Sequence, residues 1–338
     1  MRTQTASLIL LNMEISNKQQ AAVHVVRSQF EKLGTDIDIR IIADDVAEKK
    51  AAEKDLLEIE RLYAHFTNIF SRFDPTSELS KLNSQLGKYS TASFDMLEVV
   101  ALCLDYYAKT DGLYDPRILD VLEKVGYADD FKDGVRKFRA GSVVENDHFS
   151  KRSLAEDLKI VPRISLGQKN DTVFFGTRMD FSGIAKGYIT DKVVEFLKKR
   201  QWKNFLVDSG GDMFMRGVDE DGKLWTVNVE GIDEKKLIFT LDDKAVATSG
   251  IGRRKWEIEG QRMHHIINPR KPQEFCFDLK SVSIIAESTT AADVWAKTIF
   301  LMGREGGMLY AREHDIAAVI LDCRGSAWIS PKAKEFLY

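Results

Sequence analysis

Cysteine is scarce in this chain. Cys103, Cys276 and Cys323 stand far apart among 338 residues. None belongs to a CxxC, an HExxH or a Cys/His pair at zinc spacing, and an odd number of thiols argues against a disulfide framework. Charge of one sign is lacking too. Lys and Arg number 49 against 52 Asp and Glu, a net charge of −3, which gives no electrostatic case for nucleic acid or an anionic membrane surface. The short basic runs Lys198-Lys199-Arg200 and Arg253-Arg254-Lys255 read as solvated helix-end and hairpin residues. No apolar run approaches the roughly 20 residues of a membrane-crossing helix, so membrane insertion is not expected. Residues 7–11 are too few for a signal-peptide core, and no small-residue cleavage site or lipidated cysteine follows them. The expectation is a cytoplasmic protein, or a periplasmic one if a leader has been removed. There is no short-period repeat, and no GxGxxG follows a strand-like run, so the ordinary dinucleotide fingerprint is missing.

What is present is globular: 44% hydrophobic and 30% charged residues, in a chain long enough for a substantial core. Residues 17–33 read as a helix ended by Gly34. Strict alternation of Ile37, Ile39 and Ile41 with Asp36, Asp38 and Arg40 predicts a half-buried strand over 36–42. Long helices are expected over 45–70 and 93–109, with Thr76 or Ser77 capping a short one between them. Residues 128–153 are polar and weakly periodic and read as a surface excursion. Strand-like runs follow at 205–208, 213–216, 225–229, 236–241, 245–247 and 282–285. Two helices, 291–302 and 306–313, precede a closing strand over 317–321. This order implies an α+β fold with a largely antiparallel sheet flanked by helices, not a doubly wound one. Residues 1–29 form an extension with part of a helix, and 30–338 a single domain.

The centre of the chain holds Asp180-Phe181-Ser182-Gly183-Ile184-Ala185-Lys186-Gly187-Tyr188. A strand-like run over 172–175 precedes it, and Ala185, Ile189, Val193 and Phe196 or Leu197 follow at helical spacing. Ser182-Gly183 therefore sits where a helix begins. Unpaired N–H groups, small residues and Lys186 there would suit an anionic phosphate group. An ordinary tight connection with a solvated lysine is the alternative.

Several short stretches occur in a specific order. They are Gly34-Thr35, the segment 73–83 with Ser-Glu-Leu-Ser-Lys-Leu-Asn, Gly112-Leu113-Tyr114-Asp115-Pro116, the segment 180–191, Ser209-Gly210-Gly211-Asp212, Thr248-Ser249-Gly250, His265-Ile266-Ile267-Asn268-Pro269-Arg270 and Ala292-Asp293. In this order the chain resembles the ApbE family of FAD:protein FMN transferases over roughly residues 30–329. The resemblance implies FAD bound in a cleft, a divalent metal such as Mg2+, and transfer of FMN from FAD to a threonine of an acceptor protein carrying a flavinylation motif, with release of AMP. It implies His265 as general base, while His264 faces the other way. Leu33, Phe73, Leu113, Tyr114, Asp115, Asp180, Lys186 and Ile267 would surround FAD, with Phe73 on the adenine. Ser209 to Asp212 and Thr248 to Gly250 would be loop ends lining the same cleft. Gly183, through its carbonyl, and Asp293 would hold the metal.

The chain departs from that family at a few positions. The metal-ligating threonine four residues after Asp293 is replaced by Lys297, and Thr298 lies one step on, about 100° round the helix. An ammonium cannot coordinate a cation while charged. Asp293 and Lys297 are also spaced for an ordinary helix salt bridge. Arg117 stands where threonine is usual and could contact phosphate; Asn268 replaces an aspartate, and Ser182 a glycine. Three readings follow: an FMN transferase, an FAD pyrophosphatase giving FMN and AMP, and a flavin binder without turnover.

Overall fold

Alternating apolar and polar residues build one large sheet. Its strands are β1 (His24–Lys32), β2 (Thr35–Ala43), β3 (Phe205–Ser209), β4 (Met213–Arg216), β5 (Lys244–Gly250), β6 (Leu279–Ala286), β7 (Ala317–Asp322) and β8 (Ala327–Ile329). Their order in space is their order in the chain, and every neighbouring pair is antiparallel. The expected antiparallel α+β architecture is therefore present in this computed structural model, which describes residues 23–127, 152–161, 171–229, 237–252, 254–258 and 260–338. The excursion read at 128–153 lies outside the described residues except for its last two.

The chain leaves this meander for helices at two long connections. Between β2 and β3 come α1 (Val46–Phe70), α2 (Phe94–Lys109) and α3 (Ala185–Lys199), and between β6 and β7 comes α4 (Thr289–Glu313). The caps are local and legible. Asp45, Ser93 and Ser288 accept from Glu48 N, Met96 N and Ala291 N, and Ser77 caps the short helix Glu78–Asn83 through Ser80 N. One face of the sheet buries Ile37, Ile39, Ile41 and Val207 in a common core with Ile59, Tyr63, Ile189 and Ile299 from the helices. The other face is covered by the hairpin Trp225–Asn228 with Ile238–Leu241, whose Trp225, Phe239 and Leu241 pack on Met215, Val246 and Ile285. Among the described residues no helix is long and apolar enough to cross a membrane.

Two expectations need correction. The described part of the segment read as a helix at 17–33 is strand β1, and this includes the supposed helical end of the N-terminal extension. It is an edge strand that buries only Val26, so its alternation is faint. Gly34 is not a helix stop. Leu33 and Gly34, at φ 58° and 67°, form the two-residue turn of the β1–β2 hairpin; helix ends and such turns both call for positive φ. The two C-terminal helices are present as read: α4 is broken at Gly303, whose φ of 76° and ψ of 178° are not helical. The hairpin suggested by the basic run at 253–255 is formed by Lys255–Ile258 with Gln261–His264, and it packs Trp256 beside Val121, Leu122 and Tyr127.

The approach of α3 to α4 positions the site. A methyl group on Gly187 would lie 2.7 Å from Thr290 Cα and 2.8 Å from Thr289 O. This glycine therefore serves close helix packing rather than ligand access. The Asp191 carboxylate then accepts from Thr289 N at 2.7 Å and Thr290 N at 2.9 Å, so α3 caps the start of α4. The two helix beginnings are tied together, side by side.

Candidate active site

A cleft of about 900 Å³ opens where the first turn of α3 and the N-terminal half of α4 meet β2 to β6. Leu113, Tyr114, Asp115, Asp180, Gly183, Lys186, His265, Ile267 and Asp293 all line it. Residues as distant in sequence as Leu113 and Asp293 thus converge on one surface. Leu33 and Phe73 are not among the lining residues. Leu33 packs on the core from the β1–β2 turn. Phe73 is 38% exposed and stacks under the Arg72 guanidinium, 4.2 Å from its ring; Tyr127, which does line the cleft, takes the other contact at 4.5 Å.

The turn into α3 is built from its own backbone. Asp180 N donates to Pro116 O at 2.7 Å, tying it to the Gly112–Pro116 stretch, and Asp180 Oδ1 accepts from Ser182 N at 2.6 Å. Asp180 Oδ2 lies 3.1 Å from Arg72 Nε, an ion-pair contact that is not aligned as a hydrogen bond. Asn83 clamps the segment that enters the turn. Its Nδ2 donates to Met179 O at 2.9 Å, and its Oδ1 accepts from Met179 N at 2.8 Å. The Ser-Glu-Leu-Ser-Lys-Leu-Asn motif thus acts on the site through the backbone.

Tyr114 and Asp115 border the cleft with their polar side-chain atoms already engaged. Tyr114 Oη meets Cys103 Sγ at 3.2 Å, and burial pushes the Cys103 thiol up to about 12. Asp115 accepts from Arg117 N, Nε and Nη2 at 2.7–3.1 Å. Arg117 also donates to Asp157 Oδ2 at 2.9 Å and Arg152 O at 3.0 Å. It is 3% exposed and does not line the cleft. The expected Arg117–phosphate contact is therefore not available; its guanidinium closes a sealed ion-pair network. Thr248, Ser249 and Gly250 do line the cleft, but as the last residues of β5 rather than as a loop end. Ser209 is held by hydrogen bonds of 2.6 Å to both Tyr63 Oη and Thr190 Oγ1, which anchors the β3–β4 turn beside α3.

Two lysines and two aspartates face one another across the helix beginnings. Lys186 Nζ donates to Asp212 Oδ2, and Lys297 Nζ donates to Asp293 Oδ1. Burial and the charge of Asp293 push the Asp212 carboxyl up to about 6, against the pull of Lys186 and Lys297. Asp212 was expected in a loop end lining the cleft; it is buried, is not among the lining residues, and holds Lys186 instead. No spacing rule could pair it with Lys186, 26 residues away on another element.

Gly183 and Asp293 are brought together, but Lys297 lies between them. A methyl group built on Gly183 would meet Lys297 Cε at 3.5 Å and Cδ at 3.6 Å, while the ammonium holds Asp293 Oδ1. Asp293 Oδ2 is buried without a partner. That leaves one carboxylate oxygen and a carbonyl beside a fixed positive charge. Among the described residues, no group of three or more His, Cys, Asp or Glu could hold a metal ion. A dication about 4 Å from the ammonium would be repelled by roughly 8 kcal/mol at an effective dielectric of about 20. These donors do not fit Mg2+, which needs near-octahedral oxygen ligation.

His265 stands on the opposite wall, half-buried, immediately after the Gln261–His264 strand. Its Nδ1 lies 3.3 Å from Arg254 O. A carbonyl only accepts, so Nδ1 carries the proton and Nε2 is the basic nitrogen. Burial, then the Arg254 guanidinium, push the imidazole down to about 3. It is a neutral base throughout the physiological range. His264 is buried away from the cleft, with Nε2 3.0 Å from Cys276 O and its ring among Phe275, Phe277 and Phe300. As expected, only one of the adjacent histidines reaches the site.

Comparison with known proteins places this geometry. A model described as "ApbE family" matches residues 33–320. An FAD:protein FMN transferase of Vibrio cholerae is 26% identical over 302 residues, covering 86% of this chain and 85% of that protein. One from Escherichia coli strain K12 is 24% identical over 277 residues, covering 80% and 78%. The solved flavin transferase ApbE from Vibrio cholerae superposes with a TM-score of 0.74 at 25% identity, covering 93% of this chain and all of that one. Pseudomonas stutzeri flavinyl transferase ApbE, in its apo form, shares the fold with a TM-score of 0.78 at 23% identity, covering 93% and 97%.

Proposed function

The chain belongs to the ApbE family, and on that premise we propose that it is an FAD:protein FMN transferase. The observation that carries this reading is the convergence of a neutral imidazole, His265, with a paired-lysine cluster in one cleft. The hydroxyl oxygen of an acceptor threonine attacks the FMN-side phosphorus of FAD. The bond from that phosphorus to the bridging oxygen breaks, and AMP leaves with the bridging oxygen. His265 Nε2 takes the hydroxyl proton. The Nδ1–H bond to Arg254 O holds the ring in the required tautomer.

Phosphoryl transfer asks chiefly for positioning and for cations at the oxygens where charge collects. Lys186 and Lys297 are the cations that α3 and α4 offer to the cleft. No step is assigned to a metal, because the donors do not form a site for one. The polypeptide partner is a protein bearing an exposed threonine in a flavinylation motif.

Incubation of the purified protein with FAD and such an acceptor tests the reading. Covalent flavin fluorescence on the acceptor and AMP release should appear together. In His265→Ala both should fall by about 10²–10⁴-fold, the usual contribution of a positioned base, with FAD affinity unchanged. AMP release without labelling would favour the pyrophosphatase, and FAD uptake without AMP the binder.

A further inference from the structure

We propose, resting on the flavin-transferase reading, that Lys297 is itself a ligand of the FAD pyrophosphate and that the protein binds FAD without a divalent metal. The position that would ordinarily supply a neutral metal-ligating oxygen here supplies the positive charge directly.

Three observations converge. First, the Lys297 stem runs against Gly183 at the start of the α3 segment, and its ammonium sits on Asp293 Oδ1. The charge therefore occupies the space between the two residues that would otherwise flank a cation. Second, an ammonium has three donors. Asp293 takes one through Oδ1 and a second, at 3.4 Å, through its backbone oxygen, so a third remains for a ligand. Third, the side chain is 24% exposed, and the residue lines the cleft, as does Lys186. The lysine is neither sealed in nor free on the surface.

Charge counting gives the same result. Lys186 and Lys297 against Asp212 and Asp293 sum to zero. With threonine at position 297 the cluster would carry −1 and repel a pyrophosphate until a dication brought it to +1. Lysine removes that repulsion permanently, at the cost of one positive charge relative to a metal-loaded site. A point charge with a spare donor suits phosphate oxygens and needs no coordination geometry.

The test is FAD binding, followed by flavin fluorescence and calorimetry, in EDTA and in millimolar MgCl2. Wild type, Lys297→Thr and Lys297→Met are compared, with circular dichroism to verify folding. Wild-type Kd should change less than twofold between the two conditions. Lys297→Thr should bind at least tenfold more weakly in EDTA and recover when magnesium is added, whereas Lys297→Met should weaken and not recover. Wild-type binding that tightens tenfold or more with magnesium overturns the proposal and leaves the transferase reading standing. Equal affinity of all three proteins in EDTA overturns it in the same way. Absence of FAD binding by wild type in both conditions overturns this proposal and the transferase reading together. The wild-type comparison decides the matter even if neither variant folds.

Discussion

Arg117 and Lys297 are both cations where the resemblance implied threonine, and each is paired with a nearby aspartate. Their surroundings separate them. Arg117 is enclosed, and its donors are distributed among Asp115, Asp157 and Arg152 O. Lys297 has its stem packed, its head at the cleft and a donor to spare. In sequence Arg117 suggested a phosphate contact and Lys297 a helix salt bridge with Asp293. Only the surroundings of each show that one charge is sealed within the fold while the other lies at the cleft.

The largest effect expected from this contrast is on stability. Arg117→Ala would leave the buried Asp115 carboxylate without its ion-pair partner and Asp157 with only the 3.4 Å contact to Arg152, and breaking such a buried pair from one side costs about 3–5 kcal/mol. Urea denaturation should show that loss. Material that still folds should bind FAD as wild type does, the opposite of the Lys297 variants.

Gly187→Ala sharpens the comparison from the backbone side. Its new methyl group would press on Thr290 backbone atoms at 2.7–2.8 Å, and overpacking of this kind costs about 1–3 kcal/mol. It would also part α3 and α4, which carry Lys186 in the first turn and Lys297 in the third turn respectively. Denaturation midpoint and FAD affinity should therefore fall together, unlike in Arg117→Ala.

The smallest effect is a displaced pH limb. A general base acts unprotonated, and the folded-state pKa of His265 is pushed down to about 3. Activity depending on it is complete well above that value and lost only as pH falls through it. The acid limb of kcat/KM attributable to this residue should therefore lie below pH 5. A limb near 6.5, the ordinary imidazole value, would mean that neither burial nor Arg254 acts on the ring as described.

Much of the fold was legible because its signals are local. Ile37, Ile39 and Ile41 alternate with charge, and Asp45, Ser77 and Ser93 cap the helices they precede. β1 was missed because an edge strand buries too little to show a period, and its closing turn uses the same glycine signal as a helix end. The site was legible through its motifs, not its contacts. Asn83 on the Met179 backbone, Asp191 capping α4 and Asp212 on Lys186 each join residues 26 or more positions apart, and only the fold sets those distances. Phe73 was assigned to the adenine from position alone, while its ring stacks on Arg72.

The most direct test of the account is one turnover assay in the presence of EDTA. Wild-type protein, FAD and a threonine-bearing acceptor are combined, and AMP and covalently bound flavin are quantified. The account predicts equimolar AMP and labelled acceptor without metal, at a rate that magnesium does not raise appreciably. Labelling that appears only when magnesium is supplied would contradict the role given to Lys297, and no labelling under either condition would contradict the transferase assignment itself.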